Sequence, residues 1–295
     1  MDLLPLRYFR AVARHEHISR AAAELRVSQP SLSRTIARLE KELGVPLFDR
    51  QGRHIRLNRF GAAYLERVER ALRELDDGRQ ELADAAGPVR GSFAVASETL
   101  LTLSSALVSF RTENPEVDVR IHQSSGVEMR RQLRRGEVDL CLASQQIDDP
   151  EVETAEVLRE EVLLAVPVNH RLATRTSVDI AELADEPVIT TSADYWQRQL
   201  TERLFATAGL RPHIVSEGNE PAATTFLISL GLGVGIMPEM ASRHELGLVS
   251  FLRINAPDCH RTLSFAWRRH GYLSAAARRF RDHTAESLHH DVLHP

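Results

Sequence analysis

The stretch Ser28-Gln-Pro-Ser-Leu-Ser-Arg-Thr-Ile-Ala-Arg-Leu-Glu-Lys-Glu-Leu-Gly44 decides the reading of this 295-residue chain. Leu32, Ile36, Leu39 and Leu43 recur at spacings of four, three and four, the apolar stripe of an amphipathic helix laid on a core. Ser28 is a good N-cap, because its hydroxyl can accept from an unpaired first-turn N–H, and Gly44 supplies a C-terminal stop. At ~100° per residue, the surface opposite the stripe carries Pro30, Arg34, Ala37 and Lys41, flanked by Ser31, Ser33 and Arg38. That surface offers donors and has no carboxylate at its centre.

Working outward, Ser19 to Leu25 reads as a short helix burying Ala22 and Leu25, with Arg26-Val27 as the turn into Ser28. On the other side, Leu47 to Leu57 alternates Ile55 and Leu57 with Arg56 after a turn signal at Gly52, which predicts a small hairpin, or wing. From Phe60 to about Ala86 there is no proline, and Tyr64, Val68, Ala71, Leu75 and Leu82 follow a three-four repeat broken at Gly78. A lone helix of that length is marginal in water, so it wants a partner, on its own chain or on a second copy. After Gly87-Pro88, strands at 92–96, 117–121, 138–142, 161–168, 187–189, 213–215, 234–237 and 262–267 alternate with helical patterns, and a last helix is expected over 275–288. This is an α/β rhythm.

Charge divides the chain in the same place. Residues 1–60 hold twelve Lys and Arg against six Asp and Glu, a net +6, so the remaining 235 residues carry −4 − 6 = −10. A basic segment attracts phosphate through counterion release and an acidic body is repelled, so any nucleic-acid contact belongs to the first sixty residues. No stretch approaches the roughly 18 apolar residues of a membrane span, and the N-terminus lacks a signal-peptide pattern, so a soluble, cytoplasmic protein is expected. Cys141 and Cys259 stand far apart with neither metal nor disulfide spacing. Lys41 is the only lysine and lies in the helix read over Ser28 to Leu43, which excludes a pyridoxal-phosphate Schiff base in the carboxyl-terminal part. With no G-x-S-x-G elbow, phosphate loop or H-E-x-x-H, no enzyme, no cofactor and no metal are expected; the terminal histidines read as an exposed tail.

Ala21-Ala22 with Leu25, Val27 to Arg34, Ile36, Leu39-Glu40, Leu43 to Phe48 and Arg50 resemble, almost position by position, the winged helix-turn-helix of the LysR-type transcriptional regulators. The rest of the chain is similar to the family more loosely, at Phe110 with Pro115, Leu133 with Gly136, Asp139-Leu140, and Gly231 to Pro238. The resemblance implies an all-α winged helix-turn-helix at 1–58, with its helix-turn-helix at about 18–37. A linker and dimerisation helix would follow at 59–87, and a two-lobed α/β effector domain at 88–295, similar to periplasmic binding proteins. Lobe one would hold about 91–161 and 268–295, and lobe two 162–267. A homodimer or tetramer, a double-stranded DNA operator and a small-molecule effector are the implied partners, with RNA polymerase as a further one. The alternative is a DNA-binding regulator under redox or ligand-independent control.

Carried over to this sequence, Ser28, Gln29, Pro30, Ser31, Ser33 and Arg34 would face the major groove. Ser28, Ser33 and Arg38 could as well hold phosphates, and Arg50, Arg53 and Arg56 on the wing would touch backbone or minor groove. For the effector, three strand ends lead into helix starts through small hydroxyl residues: Ser97 and Thr99, Ser124 and Ser125, and Thr190 and Thr191. Helix N-termini converging on a cleft can hold a small carboxylate. Glu98 and Asp194 sit beside these loops and pull the other way, toward a cationic or neutral effector.

Overall fold

The computed structural model describes residues 3–51, 54–87, 91–242 and 247–293. The chain divides into two compact units, 1–83 and 84–295.

In the first unit, α1 (Leu4–His15), α2 (Ile18–Glu24) and α3 (Gln29–Leu43) pack pairwise around Phe9, Val12, Leu32 and Ile36. The Ser28 hydroxyl accepts from the Ser31 N–H at 3.4 Å, and Gly44 closes α3 at φ 72°, a left-handed conformation that costs glycine nothing. Leu32, Ile36 and Leu39 are buried as the spacing predicts. Leu43 is not: at 38% exposure it lies past the point where α3 still has a core beneath it. Strands β1 (Phe48–Gln51) and β2 (His54–Leu57) form the antiparallel wing, with Phe48 opposite Leu57. Glu40 fastens it, its Oε1 accepting from the N–H groups of Leu47 (2.8 Å) and Phe48 (3.2 Å). Helix α4 (Arg59–Ala86) runs unbroken through Gly78, buries Val68 and Leu72, and leaves Leu75 and Leu82 exposed. At its start Gly61 lies so close to the wing that a Cβ there would fall 2.1 Å from the Leu47 carbonyl oxygen.

The second unit is built on β3 (Gly91–Ser97), α5 (Ser104–Glu113), β4 (Val117–Gln123), α6 (Gly126–Arg135), β5 (Leu140–Ala143) and β6 (Val152–Pro167). It continues through β7 (Ser177–Val178), β8 (Pro187–Thr190), α7 (Trp196–Thr207), β9 (His213–Glu217), α8 (Pro221–Ser229) and β10 (Gly235–Pro238). The last elements are α9 (Glu239–Ser242), β11 (Val249–Ile254), β12 (His260–Arg268) and α10 (Ala275–Leu293). The sheet order is β4-β3-β5-β12-β6-β11-β7, with β10 also on β6. Period-two alternation along β3 sends Phe93 and Val95 into a core with Phe110 and Phe280, and Ala94 and Ala96 into one with Met129 and Leu133. The second lobe packs Leu164, Val166, Trp196, Leu204, Phe205, Ile236 and Leu252. Its parallel pair β8-β9 is joined to the rest by a bridge between Val188 and Val234.

Two expectations are corrected here. The strand expected at 161–168 is the second half of β6, one 16-residue strand. Residues 152–161 of β6 pair with β12, and 162–167 pair with β10 and β11, so β6 belongs to both lobes. The return crossing was expected after Trp267, yet β12 is already paired with β5 and the first half of β6 from His260 onward. Residues 260–267 therefore lie in lobe one. Apolar periodicity marks a strand but does not name its neighbours.

Candidate DNA-reading face and effector cavity

Burial of Leu32, Ile36 and Leu39 fixes the rotation of α3, and the opposite surface is left to solvent. Ser28, Gln29, Pro30, Arg34 and Arg38 are exposed, with Ser31 and Ser33 half-buried beside them. Gln29 is steadied by α2, its Oε1 accepting from the Ser19 hydroxyl at 3.1 Å. The Arg34 Nε donates to the Pro30 carbonyl of its own helix at 3.3 Å, and Arg38 faces Glu42 at 3.8 Å; both are surface contacts that a stronger anion can replace. Arg56 is exposed on β2, while the Arg50 side chain and all of Arg53 lie outside the described residues. The result is a helix start with exposed donors, braced behind by a packed apolar core.

Between the lobes lies a narrow cavity with about 40 Å³ open to the centre of a water-sized molecule. The first lobe lines it with Glu98, Thr99, Leu101, Thr102 and Arg261, and the second with Thr191, Tyr195, Trp196, Gln197, Asn219 and Met237, among others. Thr99 and Thr191 are thus the two expected effector residues on its wall. Ser97 is buried and spends its hydroxyl on the Thr99 carbonyl at 3.1 Å. Ser124 and Ser125 sit at the start of α6, where Ser125 makes no side-chain cap, and Thr190 is buried behind the wall. These four are not among the described lining residues.

The polar centre of the cavity is one the small-hydroxyl pattern missed. Glu98 is 3% exposed; its Oε2 accepts from the Ser144 N–H at 2.9 Å, and its Oε1 has no hydrogen-bond partner. Burial pushes its carboxyl up from the usual carboxylate range, against weaker opposing pulls from Ser144, the Arg261 charge and the Trp196 backbone N–H. Arg261 is equally buried, but its Nε donates to Glu160 Oε1 at 2.7 Å and its Nη2 donates to the same oxygen. Glu160 Oε2 accepts from the Met240 N–H at 2.9 Å, and the Arg261 guanidinium lies 5.2 Å from the centre of the Trp196 ring. The ion pair lies within the first lobe, and the Met240-to-Glu160 hydrogen bond and the Arg261–Trp196 cation–π contact join the two lobes. At the rim, the Gln123 side chain of β4 donates to the carbonyls of Glu98 and of Asn219, both at 3.2 Å. Asp194 is exposed next to Tyr195, whose hydroxyl is pushed up by burial and by the charges of Asp194 and Glu98.

The two thiols are poor sensors. Burial holds the Cys141 thiol far above its ordinary value, and pushes that of Cys259 up to about 11. Both stay protonated at neutral pH, and the thiolate is the reactive species.

A winged helix-turn-helix, a long helix and a two-lobed α/β domain with a cavity between its lobes are the parts of a DNA-binding regulator. Residues 3–62 match the bacterial regulatory helix-turn-helix proteins of the lysR family, and residues 86–289 match the LysR substrate binding domain. The chain belongs to the LysR family of HTH-type transcriptional regulators. Relatives include the uncharacterized HTH-type transcriptional regulator YybE of Bacillus subtilis, 34% identical over 96% of this chain and 98% of its own. The transcriptional dual regulator GltC of the same species is 30% identical over 81% of each chain. Among solved structures, a full-length OxyR variant from Pseudomonas aeruginosa superposes with a TM-score of 0.75 at 25% identity, over 98% of this chain and 94% of that one. Full-length CbnR complexed with its target DNA gives 0.67 at 25% identity, over 97% and 100%. Among the described residues no helix is long and apolar enough to cross a membrane.

Proposed function

We propose that this regulator acts in the cytoplasm as a homodimer or tetramer joined through α4, reads its operator with the start of α3 and the wing, and answers a small molecule held between its lobes. It works by binding, with no catalysis of its own, and RNA polymerase is its further partner at the promoter. The domain division that serves this reading is 1–58 for DNA, 59–87 for assembly and 88–295 for sensing. The observation that carries it is the exposed, donor-rich start of α3 on a segment of net charge +6. Leu75 and Leu82, exposed at 43% and 73% on a 28-residue helix, support a seam with a second copy. The Gln123 and Arg261 contacts across the cavity give a ligand a means of changing how the lobes close. Two-fold assembly places half-sites on one face of the duplex, one or more helical turns apart.

Arg34→Ala tests the DNA face. A bidentate contact to a guanine edge contributes roughly 1–3 kcal/mol, so the variant should bind its operator several-fold to a hundred-fold more weakly in a gel-shift titration, with random DNA much less affected. Unchanged operator affinity would remove Arg34 from the reading surface.

A further inference from the structure

We propose that the cavity between the lobes takes a compact organic cation, an alkyl- or arylammonium with an apolar body, whose N–H groups donate to Glu98. The inference rests on the reading of this cavity as the effector site and adds the chemistry of the effector.

A carboxyl group taken out of water is costly unless its oxygens are partnered. Here one oxygen is held by Ser144, and the other, Oε1, is buried without a partner on a side chain that lines the cavity. The other charged side chain among the described lining residues is Arg261, and its charge is already met by Glu160 at 2.7 Å and by the Trp196 ring. The described lining therefore lacks a free cation with which to greet an anion, and an anionic ligand would stand against an unpaired carboxyl oxygen. An ammonium reverses that balance. Its N–H supplies the missing donor, its charge restores the ionised carboxylate, and Tyr195 offers an aromatic face. The unpartnered Thr191 hydroxyl accepts a second N–H, and Leu101, Met237 and Ala241 receive the apolar body. The N-terminus of α7, which elsewhere attracts anions, begins at Trp196 within reach of Glu98, so its partial charge is already answered from inside the protein.

Isothermal titration of the full-length protein with benzylamine, benzyl alcohol and benzoate, three probes of one size and differing charge, tests this. Benzylamine is expected to bind at least tenfold tighter than benzoate, with the alcohol between. Glu98→Gln should weaken benzylamine by roughly ten- to hundred-fold while leaving the alcohol nearly unchanged. Gly218→Trp should abolish all three, because Gly218 lines the cavity and a side chain there meets open space at its root. Benzoate binding as tightly as benzylamine, or Glu98→Gln leaving benzylamine untouched, overturns the cation while sensitivity to Gly218→Trp keeps the cavity as the site. Binding that ignores Gly218→Trp removes the cavity itself, and failure of all three probes to bind overturns the proposal. Should Glu98→Gln not fold, the benzylamine to benzoate ratio in the unaltered protein still decides.

Discussion

Glu160→Ala should lower the stability of the effector-binding unit by roughly 3–5 kcal/mol, because it strands the Arg261 guanidinium without a counter-charge. The pair is almost wholly withdrawn from water, the side chains being 1% and 3% exposed, so no solvent screening softens the loss. The variant also frees the Met240 N–H that Glu160 Oε2 accepts. For a unit of this size the calorimetric transition should fall by about 10 °C. The double variant Glu160→Leu with Arg261→Met should recover much of the loss, since exchanging a buried pair for apolar groups is often neutral. A melting temperature for Glu160→Ala within a degree of the parent would show that the guanidinium finds water or another partner.

The second large effect is expected in the other unit. Phe9 is fully buried and meets Phe48 of the wing at 5.5 Å and Tyr64 of α4 at 5.4 Å between ring centres. One side chain of α1 thus holds two other parts of the DNA-binding unit in place. Phe9→Ala removes those contacts and leaves a void, at a cost of about 3–5 kcal/mol. In a unit of some eighty residues that corresponds to a fall of the order of 20 °C. Operator binding should vanish at 37 °C while the transition of residues 84–295 stays put. If both transitions shift together, the two units do not melt independently.

How far these features were legible in the sequence varies with the range of the interactions behind them. The α3 helix was readable because everything that makes it is local: a four-three-four stripe, Ser28 at one end and Gly44 at the other. Helix α1 carries comparable marks, a proline at its start and buried residues at 8, 9, 12 and 13, but no sequence motif singles it out. The cavity was half legible. Small hydroxyls at strand ends point to Thr99 and Thr191, but Ser97 and Thr190 are buried away from the wall. In the sequence Glu98 stands out by its charge alone. Its role depends on Ser144 and Arg261, 46 and 163 positions away, which only the closed fold brings near. The lobe boundary failed for the same reason, since the partner of β12 is set by a strand a hundred residues earlier.

The two places where the chain passes between lobes, Glu161 and His260, stand opposite each other as paired residues of β6 and β12. The intervening 98 residues are therefore a guest spliced into a hairpin that the host already closes. A tight turn joining Glu161 to His260 would leave the host sheet β4-β3-β5-β12-β6 with every rung intact. Receptors of altered taste are thus open to construction by grafting: a foreign insert brings its half of the pocket, and the half attached to the DNA-reading machinery stays as it is.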